Sequence, residues 1–252
     1  PKAYIDVRDV KKIEKKTLDL LEAFNIPFYP KSEVEGCDGN SEIKNISVRT
    51  KKNKIIKIKT SMLCVSGGIN PDIHLFTQSK GLVKWDEKIL TFKPEKSFQK
   101  TITLGSVSGN FIFKNIIDEV NKKLNFIDGV NDIELKIEVN GSEEFNIKEI
   151  WETKNNNKSL WSKSFIDLQN DVTTKDLTQA IREGFDRIEH LKRFTTNSMG
   201  TDQGKISSIN ALGIVSKLLK KSVSEVGTTT YRPPYNPVSF SAIAGRSTYE
   251  FY

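Results

Sequence analysis

The sequence predicts a mixed α/β protein in two parts: an α/β or α+β domain over residues 1–125 and a small helical domain over 161–252, with a polar linker or insertion at 126–160. Three observations predict it. Apolar residues in the first part alternate or run in short blocks closed by glycine and proline, as strands do. After residue 160 they recur at helical spacing behind a capping sequence. Between the two the composition turns polar, with Asn155-Asn156-Asn157-Lys158 reading as a loop.

Tyr4-Ile5-Asp6-Val7 is a short β-prone run. Leu18, Leu20, Leu21 and Phe24 then carry helical spacing up to Asn25-Ile26-Pro27, where the proline ends the helix. Residues 43–48 and 55–60 alternate apolar and polar side chains around Lys51-Lys52-Asn53-Lys54 and predict a hairpin. Met62-Leu63-Cys64-Val65-Ser66-Gly67-Gly68 reads as a fully buried strand of an α/β sheet, its turn lying at the end where such sheets bind ligands. Residues 102–104 predict another strand, and Gly105-Ser106-Val107-Ser108-Gly109 leads into helical spacing from Phe111 to Leu124. A glycine-bounded turn of this kind either sets backbone amides near a phosphate or lets a helix pack closely on a sheet.

Thr173-Thr174-Lys175-Asp176 is a capping box: threonine hydroxyl and the acid three residues on each satisfy an exposed amide. Leu177, Ala180, Ile181, Phe185, Ile188 and Leu191 follow on one face and predict a single helix from 174 to about 193. Ile206, Ile209, Leu212, Val215 and Leu219 predict a second helix starting beside Gly204. Between the helices lies Met199-Gly-Thr-Asp-Gln-Gly-Lys205, and beyond the second comes Gly227-Thr-Thr-Thr-Tyr-Arg-Pro-Pro-Tyr235. Both are denser in glycine, hydroxyls, fixed cations and aromatics than a core requires, and they predict a rigid binding surface.

At 252 residues and 37% hydrophobic content the chain is long enough to bury a core. Its 39 basic and 32 acidic residues interleave, so the net charge of +7 gives no nucleic-acid stripe. Cys37 and Cys64 make neither a disulfide framework nor a thiolate metal site, which fits a reducing cytoplasm. His74 and His190 lack ligand-spaced carboxylates, so no metal is expected. No apolar run approaches the ~20 residues of a membrane span, and residues from Pro1 onward lack the charged and apolar regions of a signal peptide, so neither a membrane nor export is expected. The chain opens on Pro1 with a strand already under way, so both ends are expected to be cut.

The four stretches Phe165-Ile-Asp-Leu-Gln-Asn-Asp-Val-Thr-Thr-Lys-Asp176, Glu189-His-Leu-Lys-Arg-Phe-Thr-Thr196, Met199–Lys205 and Gly227–Tyr235 together resemble the alpha subunit of heterotetrameric sarcosine oxidase. Cys64-Val-Ser-Gly-Gly-Ile-Asn-Pro71, with His74-Leu-Phe76 and Lys84-Trp-Asp86, is similar to the end of that subunit's nucleotide-binding domain. The resemblance implies a central fragment: the remainder of an FAD/NAD(P)-type domain, then a helical flavin-interface domain with an extended C-terminal segment. It implies an oxidoreductase acting on CH–NH donors. Within the family the assembled enzyme oxidises sarcosine to glycine, passes electrons to FMN where alpha and beta subunits meet, and delivers the one-carbon unit to tetrahydrofolate; FAD belongs to the whole complex. Beta, gamma and delta subunits are the implied partners. No catalytic residue is assigned to this chain, and the fragment alone is expected to be inactive. A subunit of a related N-methyl-amino-acid or methylamide dehydrogenase, and a freestanding protein-interaction module, are the alternatives.

Related dehydrogenase subunits hold a [2Fe-2S] cluster through cysteines at positions that look like Asp167, Gln169, Asp202 and Ser207 here. A cluster needs thiolates, so the helical domain is expected to resemble the cluster scaffold without its cysteines. The loop would then face the interface flavin, with Gln203, Gly204 and Lys205 at a helix start suited to an anion. Thr229, within the hydroxyl run 228–230, is a further candidate. Arg232 aims at a flavin phosphate or a partner carboxylate, or forms a surface ion pair. Phe194 and Met199 either contact a flavin ring or pack the helices together, and Asp202 either acts as a base or holds its loop through backbone amides. The resemblance places Ser106, Phe111 and Phe113 beside NAD. Phenylalanine there departs from the smaller residues expected, and the glycine-rich fingerprint is missing, so NAD binding is expected to be weak or absent.

Overall fold

The computed structural model describes residues 1–124, 135–138, 146–153, 163–233 and 236–244. The loop expected at 155–158 lies outside them, as do Pro234 and Tyr235. Backbone contacts divide the chain into two compact units, one of 1–70, 87–90 and 104–156, the other of 71–86, 91–103 and 157–252.

In the first unit β1 (Tyr4–Asp6) pairs in parallel with β2 (Phe28–Pro30), and α1 (Lys15–Ala23) makes the crossover that a parallel pair requires. The expected hairpin exists and gains a third strand: β3 (Glu33–Gly39), β4 (Ile43–Arg49) and β5 (Ile55–Lys59) form one antiparallel sheet with β4 in the middle. Alternation along β4 buries Ile46 and Val48, 3% and 0% exposed, on one face. At its end Arg49 Nε donates to Glu35 Oε1 across the ladder at 2.6 Å.

The stretch expected as a buried strand, Met62 to Val65, is irregular and open, with Met62 72% and Val65 81% exposed. The reason is topological. Among the described residues every sheet has two or three strands, β5 is the outer strand of its sheet, and β1–β2 is the only parallel pair. A short apolar run becomes a central strand only where neighbours flank it on both sides. The second unit then contributes α2 (His74–Gln78) and a hairpin of β6 (Leu82–Asp86) and β7 (Thr91–Lys96), on which buried Trp85 and Phe92 meet edge-on at 5.2 Å. Residues 102–104 likewise form no strand. They enter a 3-10 turn, Gly105–Ser108, which precedes α3 (Phe113–Leu124) of the first unit.

The rest of the second unit opens on a small β8 (Phe165–Asp167) and β9 (Val172–Thr173) pair. The capping box then starts α4 (Thr174–Arg182), Thr173 N–H donating to Asp176 at 2.8 Å. The single helix expected to about residue 193 is two helices, because Gly184 adopts φ +92°. Its N–H donates to Ile181 O at 3.1 Å and the N–H of Phe185 to Ala180 O at 3.0 Å, the paired bonds with which a left-handed glycine ends a helix. The chain restarts as α5 (Ile188–Thr195). Leu177, Ala180 and Leu191, each 0% exposed, still share a core with Ala211, Leu212, Ile214 and Val215 of α6 (Ser207–Leu219). Two short helices follow, α7 (Val223–Val226) behind a Ser222–Glu225 capping box and α8 (Phe240–Ala244).

Candidate functional site

The loop before α6 is built around a buried carboxylate. Asp167, 2% exposed at the end of β8, accepts from the backbone of Ser198 at 2.7 Å, Gln169 at 2.9 Å and Asn170 at 3.2 Å. Burial alone would raise its pKa, but these donors outweigh it and hold the carboxyl below the ordinary value. Ser198, 1% exposed, links onward to Ser207 and Ser208, each hydroxyl pair 3.0 Å apart. Gly204 sits at φ +76°, and a Cβ there would lie 2.2 Å from Ser208 Oγ and 2.4 Å from Ser198 Cβ, so only glycine fits. Asp202 accepts from Gly204 N–H at 3.0 Å, which is the loop-holding role. The four cluster-like positions come together in pairs: Ser207 Oγ lies 3.5 Å from Asp167, and the Asp202 N–H is 3.3 Å from Gln169 Oε1. Among the described residues no three His, Cys, Asp or Glu side chains form a metal-binding group.

On its other side the loop meets α2. His74, 2% exposed, presents Nε2 to the Gln203 carbonyl at 3.3 Å, while Asp72 Oδ1 lies 2.7 Å from Nδ1 and Lys205 Nζ lies 4.0 Å from Asp72 Oδ2. A carbonyl and a carboxylate both only accept, so each ring nitrogen faces an acceptor and a neutral ring can donate to one of them at a time. The ring stacks on Tyr231 at 3.6 Å and 25°, which ties the loop to the 227–232 segment. Burial pushes the His74 pKa down, against the pull of Asp72, and pushes the Tyr231 pKa up. Nothing in the local sequence marks this pair as part of a site, because Gln203, Lys205 and Tyr231 come from a distant stretch of chain.

Beside this cluster, α2, the β6–β7 hairpin, α7 and residues 227–230 line an open groove of about 700 Å³. Thr229, 6% exposed, lies in its wall, and neither its hydroxyl nor the indole N–H of Trp85 has a hydrogen-bond partner among the described residues. Arg232 is exposed just beyond. Thus Gln203, Gly204 and Lys205 gather around His74 and Asp72, while Thr229 and Arg232 flank Tyr231 in the same unit. Phe194, 45% exposed, stacks on Phe185 at 4.4 Å, which is the packing role; Met199 is 48% exposed.

Ser106, Phe111 and Phe113 lie in the first unit, around the turn into α3. There Glu119 accepts from Gly105 N–H at 3.1 Å, from Ser108 Oγ at 2.9 Å and from Lys123 at 2.8 Å. Burial raises the Glu119 pKa and these partners outweigh it, so the carboxylate is held below its ordinary value. Two of the turn's donors, Gly105 N–H and Ser108 Oγ, are thus directed at the chain's own anion.

Comparison with known proteins places this geometry. The family model described as the sarcosine oxidase A3 domain matches residues 161–246, the stretch that supplies the Asp167 loop, Tyr231 and Arg232. Over 198 residues, 76% of the chain, the sequence is 29% identical to sarcosine oxidase subunit alpha of Corynebacterium sp. (strain P-1), covering 20% of that protein. A 95-residue stretch is 52% identical to the alpha subunit of Rhizobium meliloti (strain 1021) and covers 10% of it. The chain thus spans a fifth or less of these relatives. In fold it is similar to L-proline dehydrogenase from P. horikoshii, with TM-score 0.66 and 21% identity, over 96% of this chain and 50% of that one. Among the described residues no helix is long and apolar enough to cross a membrane.

Proposed function

We propose that this chain is the central part of a sarcosine-oxidase-like alpha subunit, whose A3 segment frames a flavin mononucleotide at the contact with a beta subunit. The reading extends to the assembly: oxidative demethylation of sarcosine to glycine with one-carbon transfer to tetrahydrofolate, in a complex of alpha, beta, gamma and delta subunits that also carries FAD. The observation that carries it is the 52% identity to an alpha subunit, together with an A3 match that covers both rigid loops.

The residues present fit the group. Gly204 keeps the loop backbone open where any side chain would collide, the buried Thr229 hydroxyl has no hydrogen-bond partner among the described residues, and Lys205 and Arg232 supply cations on either side. Flavin bound there supplies reversible electron transfer. The chain's own part is to bind and orient: His74 and Tyr231 fix the loop, and the Asp167 network keeps water out beneath it. Pairing of Asp167 with Ser207 and of Gln169 with Asp202 supports reading residues 161–252 as a cluster scaffold whose ligands are replaced by hydrogen-bonded oxygens, since clusters take thiolates. With Glu119 closing the turn beside Ser106, Phe111 and Phe113, no step is assigned to NAD.

Co-expression with a beta-type partner tests the reading. A complex with a flavin absorbance band, lost on Gly204→Ala, is the expected result, and sarcosine-dependent oxygen consumption separates an oxidase from a dehydrogenase. A colourless chain that captures no such partner overturns it.

A further inference from the structure

The groove between α2, the β6–β7 hairpin, α7 and residues 227–230 lies wholly within the second unit, and two of its wall residues carry polar groups that the fold leaves unused. Trp85 is 7% and Thr229 6% exposed, and neither the indole N–H nor the threonine hydroxyl has a hydrogen-bond partner among the described residues. A buried polar group without a partner is costly and rare, and the indole N–H can only donate, so it calls for an acceptor. The indole is fixed where it stands: it meets Phe92 edge-on at 5.2 Å, and the chain enters β6 through Gly81, where a Cβ would lie 2.4 Å from the Phe76 ring. Lys80 and Lys84 are exposed members of the same lining, and Glu95, its one acid, pairs with neither. β6 is an edge strand, where lysines commonly serve only to discourage pairing; the two unused buried groups are what set this edge apart. Leu82, Val83 and Phe92 add apolar surface. At about 700 Å³ the groove falls in the range of small-molecule sites, from about 300 to 1,000 Å³.

We propose that this groove binds a small amphipathic carboxylate whose body carries a second acceptor oxygen, the class to which N-acylated aromatic amino acids belong. The carboxylate answers the excess of Lys80 and Lys84 over Glu95, the neutral carbonyl accepts from Trp85 with the Thr229 hydroxyl as a second donor, and the apolar part covers Leu82, Val83 and Phe92. A free ammonium in place of the acyl group would add a cation to the two already there and offer Trp85 no acceptor. The inference goes beyond the flavin reading and shares only Thr229 with it; a hydroxyl has one donor and two acceptor positions and can serve more than one partner.

The test uses the full chain and three compounds followed by calorimetry: N-acetylphenylalanine, 3-phenylpropionate, which lacks the amide, and N-acetylphenethylamine, which lacks the carboxylate. N-acetylphenylalanine should bind tightest, and each of the others at least about threefold more weakly. Trp85→Phe removes the N–H and keeps an aromatic ring; it should weaken N-acetylphenylalanine about tenfold, while the loss with 3-phenylpropionate, which reads repacking alone, stays at least about threefold smaller. Lys84→Gln, at an exposed position that folding does not depend on, should weaken both carboxylates about two- to fivefold and leave N-acetylphenethylamine unchanged. Binding of none of the three, equal affinity for all of them, a Trp85→Phe loss that is the same with and without the amide, or carboxylates indifferent to Lys84→Gln overturns the proposal. Displacement of N-acetylphenylalanine by flavin mononucleotide would make the groove the flavin's own, which sinks this inference and leaves the flavin reading standing. Binding that depends on Trp85 and Lys84, in a chain that takes up no flavin, upholds the groove and sinks the flavin reading.

Discussion

Each unit pins a glycine-bearing turn to a helix with one carboxylate, and the two carboxylates leave opposite surroundings. Asp167, fully enclosed, is satisfied by backbone amides and two serine-rich stretches, with no cation among the partners that hold it. Glu119, whose side chain is 17% exposed, closes its turn with Lys123 as counter-ion. In the first unit anion and cation cancel locally, and Glu119 takes the amide of Gly105 and the hydroxyl of Ser108. Around the second loop the anion is consumed by neutral donors, and the loop's cation, Lys205, lies near a different carboxylate, Asp72. The glycine turn of the first unit, whose sequence looks the more like a phosphate cradle, is therefore the one closed by an ion pair of its own.

The comparison breaks most sharply at Asp167. Replacing it with Ala leaves the buried amide of Ser198 and those of Gln169 and Asn170 without an acceptor, and stability should fall by about 3 kcal/mol or more, measured by denaturant unfolding. A cost below 1 kcal/mol would mean that water replaces the carboxylate and that the loop is not sealed. Gly204→Ala adds a Cβ in a left-handed conformation against Ser198 and Ser208, and should cost about 3 kcal/mol by the same assay. Glu119→Gln, at the more open turn, should cost only about 1 kcal/mol, because the amide still accepts from Ser108 and only the attraction of Lys123 is lost.

A pH series sharpens the contrast. His74 is held below its ordinary pKa by burial, so on acidification the unfolded chain takes up a proton before the folded one. The stability that neutral His74 contributes is fully present above the unfolded value of about 6.5 and is lost as pH falls toward the folded value. His74→Phe keeps a ring against Tyr231 and should flatten that stretch of the melting-temperature profile, at the expense of the bond to Gln203. Asp167, also depressed, acts lower: its contribution disappears as pH falls below about 3.9 and through its folded pKa. The smallest effect is expected at Met62→Ser, within about 0.5 kcal/mol, because that side chain is already in solvent.

Local chemistry was legible in the sequence, and partnership was not. The capping box at Thr173–Asp176, the alternation of β4 and the helix from Ser207 depend on neighbours a few residues away, and all three are present. Met62–Val65 failed because apolar content does not say whether flanking strands exist. Gly184 stood in plain view, but its apolar neighbours Phe185 and Ile188 continue the helical pattern, and periodicity cannot tell a tolerated glycine from a helix stop. At the candidate site the Met199–Lys205 and Gly227–Arg232 loops could be singled out, because their composition has no use in a core. His74 and Asp72 could not, since Gln203, Lys205 and Tyr231 reach them only through the fold.

The stack of His74 on Tyr231 also limits how this molecule can be dissected. The family match starts at residue 161, whereas the compact unit that holds it recruits residues 71–86 and 91–103 from much earlier in the chain. A recombinant piece cut at the family boundary would carry Tyr231 without its covering imidazole, and Gln203 without the ring nitrogen that faces its carbonyl. Homology in this region marks an inherited segment, and the smallest stretch able to fold as the second unit has to begin some ninety residues before it.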